Sequence, residues 1–212
     1  QLAGLSTNLT VFLQQNQTDP TLFYLVGRFL ALGYGIGSVV LLYALAKKIF
    51  NTRVALLASF FLAINSLHIE RSQLIRADSA MVFFLLLVLY FSVLIFEQKK
   101  SIDYFWAGAA LGLAVSSKYP ALCGIFPILC AYFFTEIKKF SQINFFKIIF
   151  AKKIMLFFLT FLIAFLITSP FLLPDFGKAL YDLNYEARTH QLGQDRLPGI
   201  FNHLWYLTDA LP

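Results

Sequence analysis

Residues 79–96 read Ser79-Ala-Met-Val-Phe-Phe-Leu-Leu-Leu-Val-Leu-Tyr-Phe-Ser-Val-Leu-Ile-Phe96, without a charge, a proline or a glycine. Crossing about 30 Å of hydrocarbon takes roughly 20 helical residues, with about 17 to 25 tolerated. The run is apolar on every helical face and shows no period-2 alternation of the kind a membrane β-strand requires. It therefore reads as a transmembrane helix. Working outward, 22–46, 53–69 and 154–173 meet the same criterion.

The stretch 104–135 needs a division, since one helix of that length at about 1.5 Å per residue would be roughly 48 Å long. Ser116-Ser117-Lys118-Tyr119-Pro120 supplies the break. A charge is costly at mid-membrane, and proline lacks an N–H and disfavours helix at the residue before it. The expectation is a hairpin of two spans, 104–117 and 119–135, the first reaching only partway, and hence about six spans in all. A hairpin returns the chain to its starting side. Lys47, Lys48, Arg53, Lys99, Lys100, Lys138, Lys139, Lys147, Lys152 and Lys153, ten of the 17 basic residues, then share one face with Glu97, Asp103 and Glu136, three of the 11 acids. The positive-inside rule makes that face cytoplasmic. The other acids fall on the outer face.

Composition agrees with a lipid environment. The chain has 212 residues, 59% of them hydrophobic and 13% charged, and a mean hydropathy of +0.72, far from soluble proportions. The formal charge of +6 comes from short clusters between apolar runs and not from one basic face, so nucleic acid is not an expected partner. Cys123 and Cys130 lie seven residues apart in one apolar run and read as small buried residues, not as a disulfide or a metal site. The chain begins at Gln1 without Met and is expected to be an internal piece, one transmembrane domain over 1–212.

Three further segments read as interfacial. Residues 1–13 repeat Leu2, Leu5, Leu9 and Phe12 at helical spacing, and 175–191 place Phe176, Leu180 and Leu183 on one stripe with Asp182, Glu186 and His190 on another. Segment 143–150, with Lys147, reads as a loop on anionic lipid. Asn8-Leu-Thr10 and Asn16-Gln-Thr18 fit the N-glycosylation pattern, which matters only where a lumenal oligosaccharyltransferase exists.

The chemistry concentrates in 66–79, Ser66-Leu-His-Ile-Glu-Arg-Ser-Gln-Leu-Ile-Arg-Ala-Asp-Ser79, which packs His68, Glu70, Arg71, Arg76 and Asp78 between two spans. Charges at the hydrocarbon edge are expensive and are usually paired or functional. The bland alternative is that Asp78 and Ser79 cap the next span while the arginines snorkel. Lys118 falls at the same outer face, where with Arg71 and Arg76 it suits a phosphate ester or diphosphate. The outer stretch 174–198 adds Asp182, Glu186, Arg188, His190, Asp195 and Arg196, most of them solvated.

Gly27-Arg-Phe-Leu30, Leu42-Tyr-Ala-Leu-Ala-Lys-Lys-Ile-Phe-Asn-Thr-Arg-Val-Ala-Leu-Leu-Ala58, Ser72-Gln-Leu-Ile-Arg-Ala-Asp78, Gly108-Ala-Ala-Leu-Gly-Leu-Ala-Val-Ser-Ser-Lys-Tyr119 and Ser169-Pro-Phe-Leu172 occur in an order that resembles the GT-C glycosyltransferases of the protein O-mannosyltransferase and aminoarabinose-transferase group. Ala77 stands where that family usually has proline in its S…R-P-D outer-loop motif. The resemblance implies an all-α polytopic bundle with interfacial amphipathic helices. It also implies inverting transfer of a hexosyl or pentosyl group from a polyprenyl-phosphate sugar to a glycan, lipid or protein at the outer membrane face, extracytoplasmic or lumenal, with a bacterial plasma membrane as the expected location. Asp78 takes a secondary acidic position, Arg76, Lys118 and Arg71 become phosphate contacts, and Glu70, Glu186 and His190 possible outer-loop contributors. The main catalytic carboxylate is expected upstream of Gln1, and the C-terminal part beyond Pro212. Cations, or a divalent metal whose ligands the sequence leaves open, would stabilise the departing phosphate.

The competing class is a secondary transporter, in which Lys118 and the glycine-rich helix 27–37 would form a midplane site within inverted repeats. No repeat symmetry is visible, and little charge falls at mid-span. A scaffold without chemistry leaves the dense 66–79 stretch unexplained.

Overall fold

The computed structural model describes residues 21–136, 151–172 and 174–186. Within them, every regular element is helical: α1 Thr21–Ile49, α2 Thr52–Ile64, α3 Ser66–Gln73, α4 Ala77–Gln98, α5 Ser101–Ser117, a 3-10 turn Tyr119–Gly124, α6 Ile125–Glu136, α7 Lys152–Thr168, a second 3-10 turn Pro170–Leu172 and α8 Phe176–Glu186. The chain divides into two compact units between Thr168 and Ser169. The first holds α1–α7 and the second holds α8. Segments 1–13 and 143–150 and both glycosylation tripeptides lie outside the described residues.

α4 is the hub of the first unit. It packs against α1, α5 and α6, while α5 lies between α4 and α7. Val88 and Ile95 of α4, Tyr104 and Leu111 of α5, Ile128 of α6 and Phe157 of α7 form the buried core. The closest approach is between α5 and α7, where Gly108 and Gly112 stand four apart in a small-xxx-small pattern. A Cβ at Gly108 would collide with the Phe157 carbonyl and the Thr160 hydroxyl, and one at Gly112 would lie 2.6 Å from the Phe161 carbonyl oxygen. In lipid, helices associate through such close packing, because there is no hydrophobic gain between them. Buried hydroxyls fold back on their own helices: Ser59 Oγ donates to the Ala55 carbonyl at 2.8 Å and Ser92 Oγ to Val88 at 2.7 Å.

The outer surface of the bundle is rich in large apolar side chains. Phe134 is 79% exposed and Ile167 72%, which in water would drive association and in hydrocarbon costs nothing. The same inversion corrects the expectation for Cys123 and Cys130, which are exposed on this surface and not buried. An apolar run predicts burial only where the solvent is water.

Among the described residues, two helices are long and apolar enough to cross a membrane unaided, α1 and α4, and the α2–α3 pair makes a third if it counts as one span. α5 and α7 have 17 residues each and α6 has 12. The run expected as one span over 53–69 instead bends by 59° between α2 and α3. The cause is Asn65, whose backbone is extended and whose Oδ1 accepts from the His68 N–H at 2.9 Å, starting a new helix. The break in 104–135 falls where the proline and charge put it. α5 stops at Ser117, Lys118 is extended at φ −158°, and Pro120 sits in the following 3-10 turn.

The bundle has two chemically distinct ends. At one, Lys48 Nζ meets Glu97 Oε2 at 2.6 Å, Lys99 Nζ donates to the Thr135 carbonyl at 3.2 Å, and Lys153 lies over the Tyr104 ring. These contacts gather the loops around 47–53 and 97–103 with the start of α7, the grouping that the hairpin division requires. The other end carries Arg71, Asp78 and Lys118.

Candidate functional site

The polar end is assembled from short local devices. Asn65 starts α3, which carries Arg71 in its last turn. The chain then turns tightly, with the Arg76 N–H donating to the Leu74 carbonyl at 2.9 Å, before α4 begins at Ala77. Asp78 lies in the first turn of α4, where the unpaired N–H groups favour negative charge. It is not the cap. The N-cap position is Arg76, which makes no side-chain capping bond, and Ser79 Oγ donates to the Arg76 carbonyl at 3.4 Å.

Across the bundle, the end of α5 delivers Lys118. Its Nζ donates to Asp78 Oδ1 at 2.7 Å, and Arg71 Nη1 lies 3.8 Å from Asp78 Oδ2. One carboxylate thus faces a cation on each oxygen. The side chains of Arg71, Lys118 and Asp78 are 37%, 49% and 26% exposed, so the cluster is open at the surface and available to a ligand. A cleft of about 550 Å³ opens over it, its lining including the polar Arg76, His68, Asn65 and Ser79 and the apolar Leu62, Leu67 and Val82.

The structure thus brings together four of the residues singled out in the sequence: Asp78, Arg71, Lys118 and Arg76. Arg76 lines the cleft and, among the described residues, pairs with no carboxylate. Glu70 is exposed and does not line the cleft. Glu186 ends α8 in the second unit, and His190 lies outside the described residues. Among the described residues no group of three His, Cys, Asp or Glu side chains converges on a metal position.

Two residues of the 66–79 stretch make a contact that was not legible in the sequence. His68 Nε2 bonds to the Gly35 carbonyl at 3.2 Å, and Ser72 packs directly on Gly35. A polar stretch between spans gives no sign of which neighbour it will lie against. The i, i+4 spacing of His68 and Ser72, which puts both on one face, was the available signal.

A helical bundle with apolar walls and a cation-rich cleft at one end defines an integral membrane protein. Residues 24–173 match the family described as dolichyl-phosphate-mannose-protein mannosyltransferase, and the chain belongs to that family. No curated protein and no solved structure matched the chain. The family carries glycosyltransferase activity with a lipid-linked sugar donor.

Proposed function

We propose that this protein transfers a hexosyl or pentosyl group, with inversion, from a polyprenyl-phosphate sugar to an acceptor hydroxyl on a glycan, lipid or protein. The site is the Asp78 cleft, at the outer face of a plasma membrane crossed about six times within 1–212. The observation that carries the proposal is the charge of the cleft: Lys118, Arg71 and Arg76 stand against the single carboxylate of Asp78. A net positive cleft at the hydrocarbon edge suits a phosphate diester whose tail stays in lipid.

When the sugar–oxygen bond breaks, negative charge grows on the leaving polyprenyl phosphate. Lys118, Arg71 and Arg76 are placed to stabilise it, and being fixed beforehand they need little reorganisation at that moment. Asp78 acts as the counter-ion that holds two of these cations in place, because a carboxylate already bonded to a lysine is poorly suited to take a proton. A second carboxylate at the same face serves as the base that accepts the acceptor's proton. The described residues around Asp78, one carboxylate among cations, offer no ligand set for a divalent metal; a metal held from elsewhere would add positive charge, to be tested by chelation.

Two observations favour the transferase reading over a transporter. α1 runs unbroken through 27–37, and two of its glycines serve packing: Gly35 against Ser72 and Gly37 against Phe83. Lys118 lies at a helix end and not at mid-span. The test is purified protein in liposomes with polyprenyl-phosphate sugars. Transfer to an acceptor, abolished by omitting the lipid donor, is the expected result, and no transfer from any such donor overturns the proposal.

A further inference from the structure

α3 is eight residues long, far too short to be stable alone, so its position must be imposed by its neighbours. Its main seat is one glycine of α1. The Gly35 carbonyl accepts from His68 Nε2 at 3.2 Å, which requires the proton on that nitrogen. Directly beside it, Ser72 is 5% exposed and fills the space that a side chain at 35 would occupy. A Cβ at Gly35 would lie 2.6 Å from Ser72 Cβ, and closer still to its hydroxyl oxygen. That hydroxyl in turn donates to the His68 carbonyl at 2.7 Å, tying both contacts into one turn of α3.

Arg71 immediately precedes Ser72, and its distance to Asp78, 3.8 Å, is at the long edge of an ion pair. An outward shift of α3 by a fraction of an ångström would break that pair, whereas the Lys118 bond to Asp78 comes from a different element and would persist. We infer that Gly35, His68 and Ser72 are positioning residues that seat α3 on α1 and thereby set the reach of Arg71 into the cleft. The inference rests on the reading of that cleft as the donor-phosphate site.

Gly35→Ala is expected to lower sugar transfer about tenfold or more, since a misplacement of roughly 1 Å can cost about a hundredfold. Adding Ser72→Gly removes the clashing side chain and leaves the residue 72 Cα 3.8 Å from the new Cβ, an ordinary contact, so most of the loss should be recovered. Adding Ser72→Ala instead keeps the 2.6 Å conflict and should recover nothing. His68→Gln, whose amide still donates, should outperform His68→Leu, which repeats the comparison without touching the glycine.

The decisive arm is non-additivity. Gly35→Ala combined with Arg71→Ala should be no slower than Arg71→Ala alone, because the glycine acts through the arginine. Losses that multiply overturn the inference. Seating is also read without any activity, from spin labels at Ile69→Cys and Phe96→Cys. Gly35→Ala should shift that distance and Ser72→Gly restore it, and an unchanged distance overturns the seating. Absence of sugar transfer by the wild-type protein refutes the functional reading and leaves this distance test standing.

Discussion

Asp78 brings an ionised carboxylate to the head of an apolar helix, and its two oxygens are taken by cations from two other elements. Asp78→Asn keeps the size of the side chain and removes the charge that holds Lys118 and Arg71. Transfer should fall by about one order of magnitude or more, with expression and membrane insertion intact, and turnover of lipid-linked sugar by the reconstituted variant checks it. Unchanged turnover would leave Asp78 with only its first-turn role. Lys118→Met should raise the donor KM and lower kcat, and Lys118→Arg should recover part of both, because the guanidinium also binds phosphate. Equal losses in the two variants would contradict a phosphate contact. Asp78, Arg71, Arg76 and Lys118 could all be picked out of the sequence, since charge beside bilayer-length apolar runs is conspicuous. Gly35 could not, because its part depends on which helix α3 lies against.

At the scale of elements, what was readable and what was not follow from the same physics. The end of α5 at Ser117 was legible, because Pro120 and Lys118 each oppose a continuous helix. The bend at Asn65 was not, because the residues just before it, 60–64, are apolar and a single amide gives no sign that its oxygen will cap a new helix. Likewise, 66–79 read as a charged loop between two spans, and its first eight residues form α3, a helix held by its contacts and not by its own propensity. Helix packing yields a prediction here. Gly108→Val must push α5 off the Phe157 backbone, and overpacking of this kind costs about 1–3 kcal/mol. Thermal unfolding in detergent should show a lower midpoint for Gly108→Val, while Gly33→Val, where a Cβ meets nothing within 4 Å, should leave it near wild type. Equal midpoints would remove the α5–α7 glycines from the account of stability.

For the whole molecule, the proposed topology puts the two ends of the bundle on opposite sides of the membrane. Single cysteines at Lys100 and Tyr119, in a background lacking Cys123 and Cys130, should label from opposite sides with an impermeant maleimide, position 119 from outside. Labelling of both from one side contradicts the orientation and removes the outer-face site with it. The account as a whole stands on the cleft binding the phosphate of a lipid-linked sugar, and its most direct test is transfer from a polyprenyl-phosphate donor in liposomes, measured for wild type and for Arg71→Ala, Arg76→Ala and Lys118→Met. The account predicts transfer by the wild type and a loss in every variant, deepest when the three are combined. Wild-type transfer that survives the triple substitution would contradict it.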